Sequence, residues 1–294
     1  MRNKKIRFSS NKLNRLFYKL KRIKDSLNKG VIFDIHTPRK ARYLEMDKQL
    51  CYHHPKYQNN HHKIPFILYK TGEVSKENLP DQIKELFIKI KKENIGIEIK
   101  YFGDSDRVHF IKSHFNDDVL RAYLNLKPGA YRADLFRYCI LYVNGGIYGD
   151  LTQSYLVPLK EIVDFNKDSL VLVRDYLNDA QTTNGIFNAF IASHKGNKTI
   201  KTAIDKIVEN VQLKNYGISS LDITGPYLLR RALQESNENY RLSLELNPFN
   251  NKAIRNIRTG KNVILTKLPN HDELIGKNKS NDYHELWMNK DVFI

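Results

Sequence analysis

The chain has 294 residues, of which 41% are apolar and 11% aromatic, and it carries a formal net charge of +17. This length and composition predict a folded protein with a full core and exclude an intrinsically disordered chain. No run of 18 apolar residues occurs, which excludes a membrane-spanning helix by length, and the basic N-terminus lacks the apolar stretch of a secretory signal peptide.

The positive charge is concentrated near the N-terminus. Residues 1–30 hold eleven Lys and Arg against a single acid, and residues 31–60 add +2, which leaves +5 for the other 234 residues. Within this segment, residues 9–27 predict a helix with one apolar stripe on a basic surface. Such a helix either packs on the rest of the chain or binds an anionic membrane surface. We therefore predict a basic helical extension with a His-rich loop over 1–60 and a catalytic domain over 61–294.

The two cysteines and a cluster of histidines raise the question of metal binding. Residues 51–62 form a polar loop whose spacing fits no closed zinc pattern well. Cys139 falls inside a predicted helix and is expected to be a small core residue. Two cysteines do not suggest a disulfide framework, so we expect a reducing, cytoplasmic location, with membrane contact only at the periphery. The side chains that a zinc site would use are Cys51, His53, His54, His61 and His62.

From residue 63 onward, predicted strands alternate with predicted helices. Strands are predicted at 64–69, 95–102, 169–173, 184–193 and 262–266. Helices are predicted at 81–94, at 106–115, from about 198 to 211, and after 224–226. This alternation predicts an α/β domain with a mainly parallel sheet. Neither GxGxxG nor GxxxxGK[ST] is present, so a standard phosphate loop is not expected.

The stretch YRADLFRYCILYVNGGIYGD (131–150) is the most informative in the chain. Asp134 and Arg137 are three residues apart and share a helix face, and Gly145 is suited to end that helix. A short strand follows, and Asp150 stands at its carboxyl end, where open α/β sheets bind ligands. The alternative is an ion pair on a helix surface and an acid in a loop. The residues predicted to form the buried side of the helix are Leu135, Tyr138, Cys139 and Tyr142.

This stretch resembles the sugar-binding signature of a glycosyltransferase family with an Asp-x-Asp motif. The family includes the yeast Golgi initiating mannosyltransferases and related galactosyl- and glucosaminyltransferases. Its signature runs basic-small-Asp-hydrophobic-hydrophobic-Arg-Tyr, then Leu-Tyr, Gly-Gly, aliphatic-Tyr and Asp-x-Asp. The resemblance extends over about 63–287, because residues 63–80, 102–115, 224–226 (TGP) and 283–287 (YHELW) are similar to other blocks of the family.

The resemblance implies a GT-A fold, a Rossmann-like, mainly parallel sheet flanked by helices that binds a nucleotide-sugar at its carboxyl edge. It implies a retaining hexosyltransferase that uses a UDP- or GDP-sugar, a glycan, glycolipid or glycoprotein acceptor, and Mn²⁺ or Mg²⁺. Catalytic roles carry over to Asp134, Arg137 and Asp150. The implied donor-binding residues are Tyr69, Thr71, Arg132, Asp134, Arg137, Gly146, Tyr148 and Trp287. The implied metal ligands are Asp150, Thr152 and His284.

The chemistry of the reaction agrees with these roles. Negative charge develops on the leaving diphosphate, and a divalent cation held by a carboxylate can stabilise it. Arg137 offers hydrogen-bond donors for sugar hydroxyls and Asp134 offers an acceptor. The sequence departs from the family pattern at Thr152, which replaces the second acid and supplies no charge to a metal. Gly149 is also unusual before the first acid.

Three further interpretations follow from the sequence. Asp104-Ser105-Asp106 also spells Asp-x-Asp, but its position before a helix favours a capping role. The loss of the second acid allows a weakened or inactive relative that only binds sugar nucleotides. The third interpretation is a protein that binds nucleic acid or an anionic surface through its basic tail. Nucleic acid is not favoured, because the charge is confined to that tail.

Overall fold

The computed structural model of the protein describes residues 63–175, 185–247, 252–276 and 281–294. The predicted basic extension, its helix and the His-rich loop lie outside these residues, as do the zinc ligands proposed there. The boundary at residue 60 therefore stays a prediction.

The described residues form strands and helices in alternation. The strands are β1 (Ile67–Thr71), β2 (Glu98–Phe102), β3 (Gly146–Gly149), β4 (Ser154–Tyr155), β5 (Leu170–Arg174), β6 (Ile186–Ser193), β7 (Arg241–Leu246), β8 (Ala253–Asn256) and β9 (Asn262–Leu265). The helices are α1 (Asp81–Glu93), α2 (Asp104–His114), α3 (Asp117–Asn125), α4 (Gly129–Asn144), α5 (Leu159–Ile162), α6 (Lys198–Gln212), α7 (Pro226–Ser236), α8 (His271–Leu274) and α9 (Tyr283–Met288). The predicted elements are present within a few residues, whereas α3, α5, α8, α9, β4, β7 and β8 were not predicted.

Local sequence explains several of the element ends. The Asp106 carboxylate accepts a 2.9 Å hydrogen bond from the Gly103 N–H, which confirms the predicted capping role of this acid at the start of α2. Helix α4 ends at Gly145, whose φ of +66° is left-handed and suits glycine. A Cβ at this glycine would lie 2.7 Å from the backbone N of Lys195, so space also requires glycine.

The strands form one sheet in the order β2-β1-β3-β6-β5-β7-β8-β9-β4. Strand β1 is parallel to β2 and β3, and β5 is parallel to β7, whereas the other neighbours in the described sheet are antiparallel. The sheet is therefore mixed, and the prediction of a mainly parallel sheet is wrong. The physical reason is that apolar patterning does not reveal strand direction: the predicted strand β6 runs antiparallel to β3 and β5, and the β7–β8–β9 meander adds further antiparallel pairs.

Alternate residues of the strands face two separate cores. One core joins α4, α6 and α7 to the sheet through Leu135, Ile204 and Leu229. The other packs α1 and α5 on the opposite side through Leu86 and Leu159. Helices on both sides of the sheet confirm the α/β class. Within the described ranges, no helix has the length and apolar content needed to cross a bilayer.

Candidate active site

Asp134 and Arg137 form a buried ion pair on α4. Nη2 of Arg137 lies 3.0 Å from Oδ1 of Asp134 and 3.4 Å from Oδ1 of Asp150, the first residue after β3. Nη1 of Arg137 donates a 2.5 Å hydrogen bond to the backbone oxygen of Asn188 on β6. The side chain of Arg137 is 5% exposed and that of Asp134 is 12% exposed, so the alternative of an ion pair on the helix surface is wrong. The structure brings the three predicted catalytic residues together.

The Asp134 carboxylate is held by two further donors. Nδ2 of Asn188 donates to Oδ1 at 3.0 Å, and Oγ1 of Thr224 donates to Oδ2 at 2.7 Å. Burial raises the pKa of Asp134 to about 6, although Arg137, Thr224 and Asn188 act in the opposite direction. At neutral pH the carboxylate is therefore still ionised. Asn188 was not predicted to be a site residue, because an Asn within a strand carries no local signal of function.

A buried lysine fixes the turn that carries Asp150. Lys70, on β1, donates from Nζ to the backbone oxygen of Asp150 at 2.7 Å and to that of Gln153 at 3.3 Å. Its ammonium lies 5.3 Å from the centre of the Tyr155 ring, and burial lowers the pKa of Lys70 to about 7. Sequence reasoning missed this residue, although a lysine inside the buried strand ILYKT was a usable signal. Lys70 positions Asp150 through the main chain.

Several predicted donor-binding residues lie on β1 and β3, the strands next to this site. Tyr69 and Tyr148 are fully buried, and the Arg137 guanidinium carbon lies 4.6 Å from the centre of the Tyr148 ring. Oγ1 of Thr71 donates to the backbone oxygen of Phe102 at 2.9 Å. Gly146 allows close packing, since a Cβ there would lie 2.9 Å from the Ile67 oxygen. The contacts observed for these residues are within the protein, and their contact with a donor stays a prediction.

Arg132 belongs to a charged cluster where β1 and β2 end. It donates from Nη2 to Glu73 at 3.3 Å, and the buried Arg107 contacts the same carboxylate at 3.0 Å and Asp104 at 2.9 Å. The hydroxyl of Tyr123 also donates to Asp104 at 2.9 Å. Asp104, the first acid of the second Asp-x-Asp, thus takes part in a structural ion-pair cluster.

Trp287 and His284 lie on α9 and contact the loop that precedes α7. Nε1 of Trp287 donates to the Tyr216 oxygen at 2.7 Å, and Nδ1 of His284 lies 3.4 Å from Oγ of Ser220. Tyr131 on α4 donates to the backbone oxygen of Ser220 at 2.5 Å, which ties this loop to the helix that carries Asp134. The roles of Trp287 in donor binding and of His284 in metal binding stay predictions.

Thr152 is engaged with a histidine. Its side chain is fully buried, and Oγ1 lies 2.6 Å from Nδ1 of His271 on α8. In the part of the chain that the structure describes, no group of three or more His, Cys, Asp or Glu side chains is arranged to hold a metal ion. Asp150 alone fits Mg²⁺ or Mn²⁺ in the mode that uses one carboxylate together with substrate phosphates. Metal ligation by Thr152 stays a prediction.

Gly149 is required by the packing of this turn. A Cβ at Gly149 would lie 2.5 Å from the Tyr155 hydroxyl and 3.0 Å from Oε1 of Gln153. We expect Gly149→Ala to lower the free energy of unfolding by about 1–3 kcal/mol, because the fully buried Tyr155 has little room to move. Urea unfolding of both chains measures the difference.

The matched control for this prediction removes the clashing atom. Tyr155→Phe deletes only the hydroxyl, which makes no hydrogen bond to the described residues. The double variant Gly149→Ala/Tyr155→Phe is expected to recover most of the lost stability. A Gly149→Ala protein as stable as wild type, or a double variant no better than the single one, would contradict this explanation.

Comparisons with known proteins identify similar chains. Residues 73–169 match the family model described as the glycosyltransferase sugar-binding region containing DXD motif. An uncharacterized glycosyltransferase of Acanthamoeba polyphaga mimivirus is 28% identical over 178 residues, 60% of this chain and 67% of that protein. The solved PaToxG glycosyltransferase aligns with a TM-score of 0.47 at 18% identity, over 67% of this chain and 78% of the other. The predicted resemblance and the prediction of a glycosyltransferase enzyme are confirmed by the family match and the viral relative.

Proposed function

We propose that this glycosyltransferase moves a hexose from a UDP- or GDP-sugar to a hydroxyl of a glycan, glycolipid or glycoprotein. The observation that carries the proposal is the buried Arg137, which joins Asp134 and Asp150 at the carboxyl end of β3. In the reaction the bond between the anomeric carbon and the phosphate oxygen breaks, and its electron pair leaves with the diphosphate. The acceptor oxygen bonds to the anomeric carbon and releases its proton.

Asp134 and Arg137 bind the donor sugar in this proposal. The carboxylate accepts hydrogen bonds from sugar hydroxyls, and the guanidinium donates to them. Asn188 and Thr224 already hold the carboxylate in place, so little reorganisation is needed when the donor binds. Asp150 is the most exposed of the three, with 37% of its side chain accessible, and is open to the diphosphate of the donor.

The sugar-binding family implies a nucleotide-sugar donor and a divalent metal in general. Asp150 would hold Mn²⁺ or Mg²⁺, and when bound the cation stabilises charge on the leaving diphosphate. Because Thr152 is neutral, we expect this site to bind the metal ion with lower affinity than a site with two acids. Lys70 supports the site by fixing the backbone on either side of the metal-binding turn.

A GT-A-type arrangement is part of the proposal. Its support is the parallel trio β2, β1 and β3, whose carboxyl ends meet where Asp104, Glu73 and Asp150 lie. Retention of configuration, a mannosyltransferase-like specificity and a cytoplasmic, membrane-peripheral location rest on the sequence interpretation alone. So do the division at residue 60 and the membrane contact of residues 1–30.

A second candidate is a sugar-nucleotide-binding protein without transferase activity. The observation that favours it is the contact between Thr152 and His271, which engages the hydroxyl that stands where the family has its second acid. Such a protein would bind the donor but would not turn it over.

A thermal-shift screen of UDP- and GDP-sugars with Mn²⁺ tests the proposal. A donor at a hundred times its Kd should stabilise the fold by about 2.7 kcal/mol, which corresponds to a Tm increase of roughly 5–10 °C. We expect one donor to give this shift and to be hydrolysed slowly without an acceptor. Binding without hydrolysis or transfer would favour the second candidate. A protein that binds none of these donors would contradict both.

A further inference from the structure

We propose that Asp175 binds a hydroxyl of a sugar acceptor, an assignment that rests on the proposed function. Asp175 is the first residue after β5, at the end of that strand, and it is 3% exposed. Sequence reasoning did not single it out, because it follows the apolar strand SLVLVR without any motif.

One oxygen of the Asp175 carboxylate is unpaired among the residues that the structure describes. This atom, Oδ1, is buried and accepts no hydrogen bond from any of them. Buried carboxylate oxygens usually have partners, because their desolvation is otherwise uncompensated. Burial raises the pKa of Asp175 to about 6, so at neutral pH the group is ionised and can only accept hydrogen bonds. A hydroxyl that arrives with a substrate supplies the missing donor.

The backbone places Asp175 beside the proposed donor-sugar site. Its N–H donates at 3.1 Å to the oxygen of Gly185, and a Cβ at Gly185 would lie 2.7 Å from Cβ of Pro226. Gly225, the next residue back, approaches Asp134 so closely that a Cβ there would lie 3.7 Å from Oδ2. Asp175 is therefore near the loop that holds the donor-binding carboxylate.

Register along β6 gives the scale of the separation. Asn188, which holds Asp134, is three residues after Gly185, and three strand residues span about 10 Å. The backbone positions that contact the two acids are therefore about 10 Å apart. Asp134 then serves the donor and Asp175 the acceptor.

Two partly exposed tyrosines favour a sugar over a simple alcohol. The ring centre of Tyr283 lies 5.8 Å from that of Tyr131, which is on the helix that carries Asp134. Tyr227 adjoins Gly185, where a Cβ would lie 3.2 Å from its ring. A tyrosine presents an apolar face and a polar tip, which suits the apolar and polar sides of a pyranose.

The test compares transfer with donor hydrolysis in Asp175→Asn. The acceptor is whichever of the methyl glycosides of the common hexoses and hexosamines the wild type glycosylates fastest. We expect the KM for this sugar to rise about tenfold or more. The substitution replaces the ionised carboxylate that would bind the sugar hydroxyl with a neutral amide. Donor hydrolysis without acceptor and the donor-induced thermal shift should stay at wild-type values. The variant's Tm at pH 7.5 should be no lower than that of wild type.

Asp175→Asn should not lower the Tm, because burial raises the pKa of the Asp175 carboxyl. The pKa of Asp175 is about 6 in the fold and about 3.9 in an unfolded chain, so its ionised form destabilises the fold above about pH 6. This penalty fades as the pH falls from 6 towards 4. Replacing the acid with Asn removes the penalty at pH 7.5, so a loss of transfer cannot be attributed to unfolding.

A matched control is available near the other end of β5. Asp168 is also buried, but both of its carboxylate oxygens accept hydrogen bonds from Arg241, at 2.8 and 2.6 Å. Asp168→Asn should lower the Tm and leave the acceptor KM unchanged. The assignment is overturned if Asp175→Asn leaves the acceptor KM at the wild-type value or reduces donor hydrolysis as much as transfer. It is also overturned if the wild type hydrolyses the donor but glycosylates none of these sugars. A wild type that binds no donor removes the proposed function itself.

Discussion

Arg137→Ala is expected to lower both sugar transfer and donor hydrolysis by roughly a hundredfold or more. The guanidinium lies 3.0 Å from Asp134 and 3.4 Å from Asp150, so its loss leaves two nearby carboxylates without the positive charge between them. Removing one partner of a buried ion pair also destabilises a fold by about 3–5 kcal/mol. Single-turnover hydrolysis at matched folded concentration, together with urea unfolding, separates the two effects.

Two controls make this prediction specific to the site. Arg137→Lys keeps the charge but loses the planar fork, so it should fold yet lose most activity. Arg241→Ala removes a partly buried guanidinium that binds the buried Asp168 with Nε and Nη2 near the other end of β5, and should destabilise the fold without changing kcat. An Arg137→Lys protein with the wild-type kcat, or an equal loss of kcat in Arg241→Ala, would show that Arg137 acts only in folding.

Asp150→Asn is expected to reduce turnover by roughly a hundredfold or more while the fold stays intact. The side chain is 37% exposed and its carbonyl, not its carboxylate, binds Lys70, so the substitution leaves the turn in place. The amide keeps an oxygen but removes the charge that would hold Mn²⁺ or Mg²⁺. Turnover across a Mn²⁺ titration is the measurement, and the concentration for half-maximal activity should rise.

Asp106→Asn is the control for Asp150. It neutralises an acid of the other Asp-x-Asp, which caps α2 through the Gly103 N–H. We expect its Mn²⁺ titration to match that of wild type. If Asp150→Asn also matched wild type, Asp150 would not contact the metal, and the alignment of this residue with the family's first acid would be wrong.

The segment from α4 to Asp150 was predictable because its signals are local. Helical spacing placed Asp134 and Arg137 on one face, and Gly145 ended the helix where a left-handed residue was expected. What spacing did not reveal is that this face is buried, since the buried side was expected to consist of Leu135, Tyr138, Cys139 and Tyr142. Nearly the whole circumference of α4 is covered by other elements.

The residues that complete the site were not predictable from local patterns. Lys70, Asn188 and Thr224 meet the acids only after β1, β6 and the loop before α7 are assembled. The contact between Thr152 and His271 joins positions 119 residues apart. The antiparallel half of the sheet was missed for a similar reason, because short strands such as β8 gain their stability from neighbours and not from their own sequence.

Calorimetric titration of the donor found in the thermal-shift screen tests the central claim most directly. The measurement compares wild type with Arg137→Lys, in the presence of saturating Mn²⁺ and at a pH above 7, where Asp134 is ionised. We predict one donor site on the wild type and at least a tenfold weaker Kd for the variant, because the fork no longer meets the sugar hydroxyls. Equal donor affinity in the two folded proteins would contradict the assignment of the Asp134–Arg137 pair to the donor sugar.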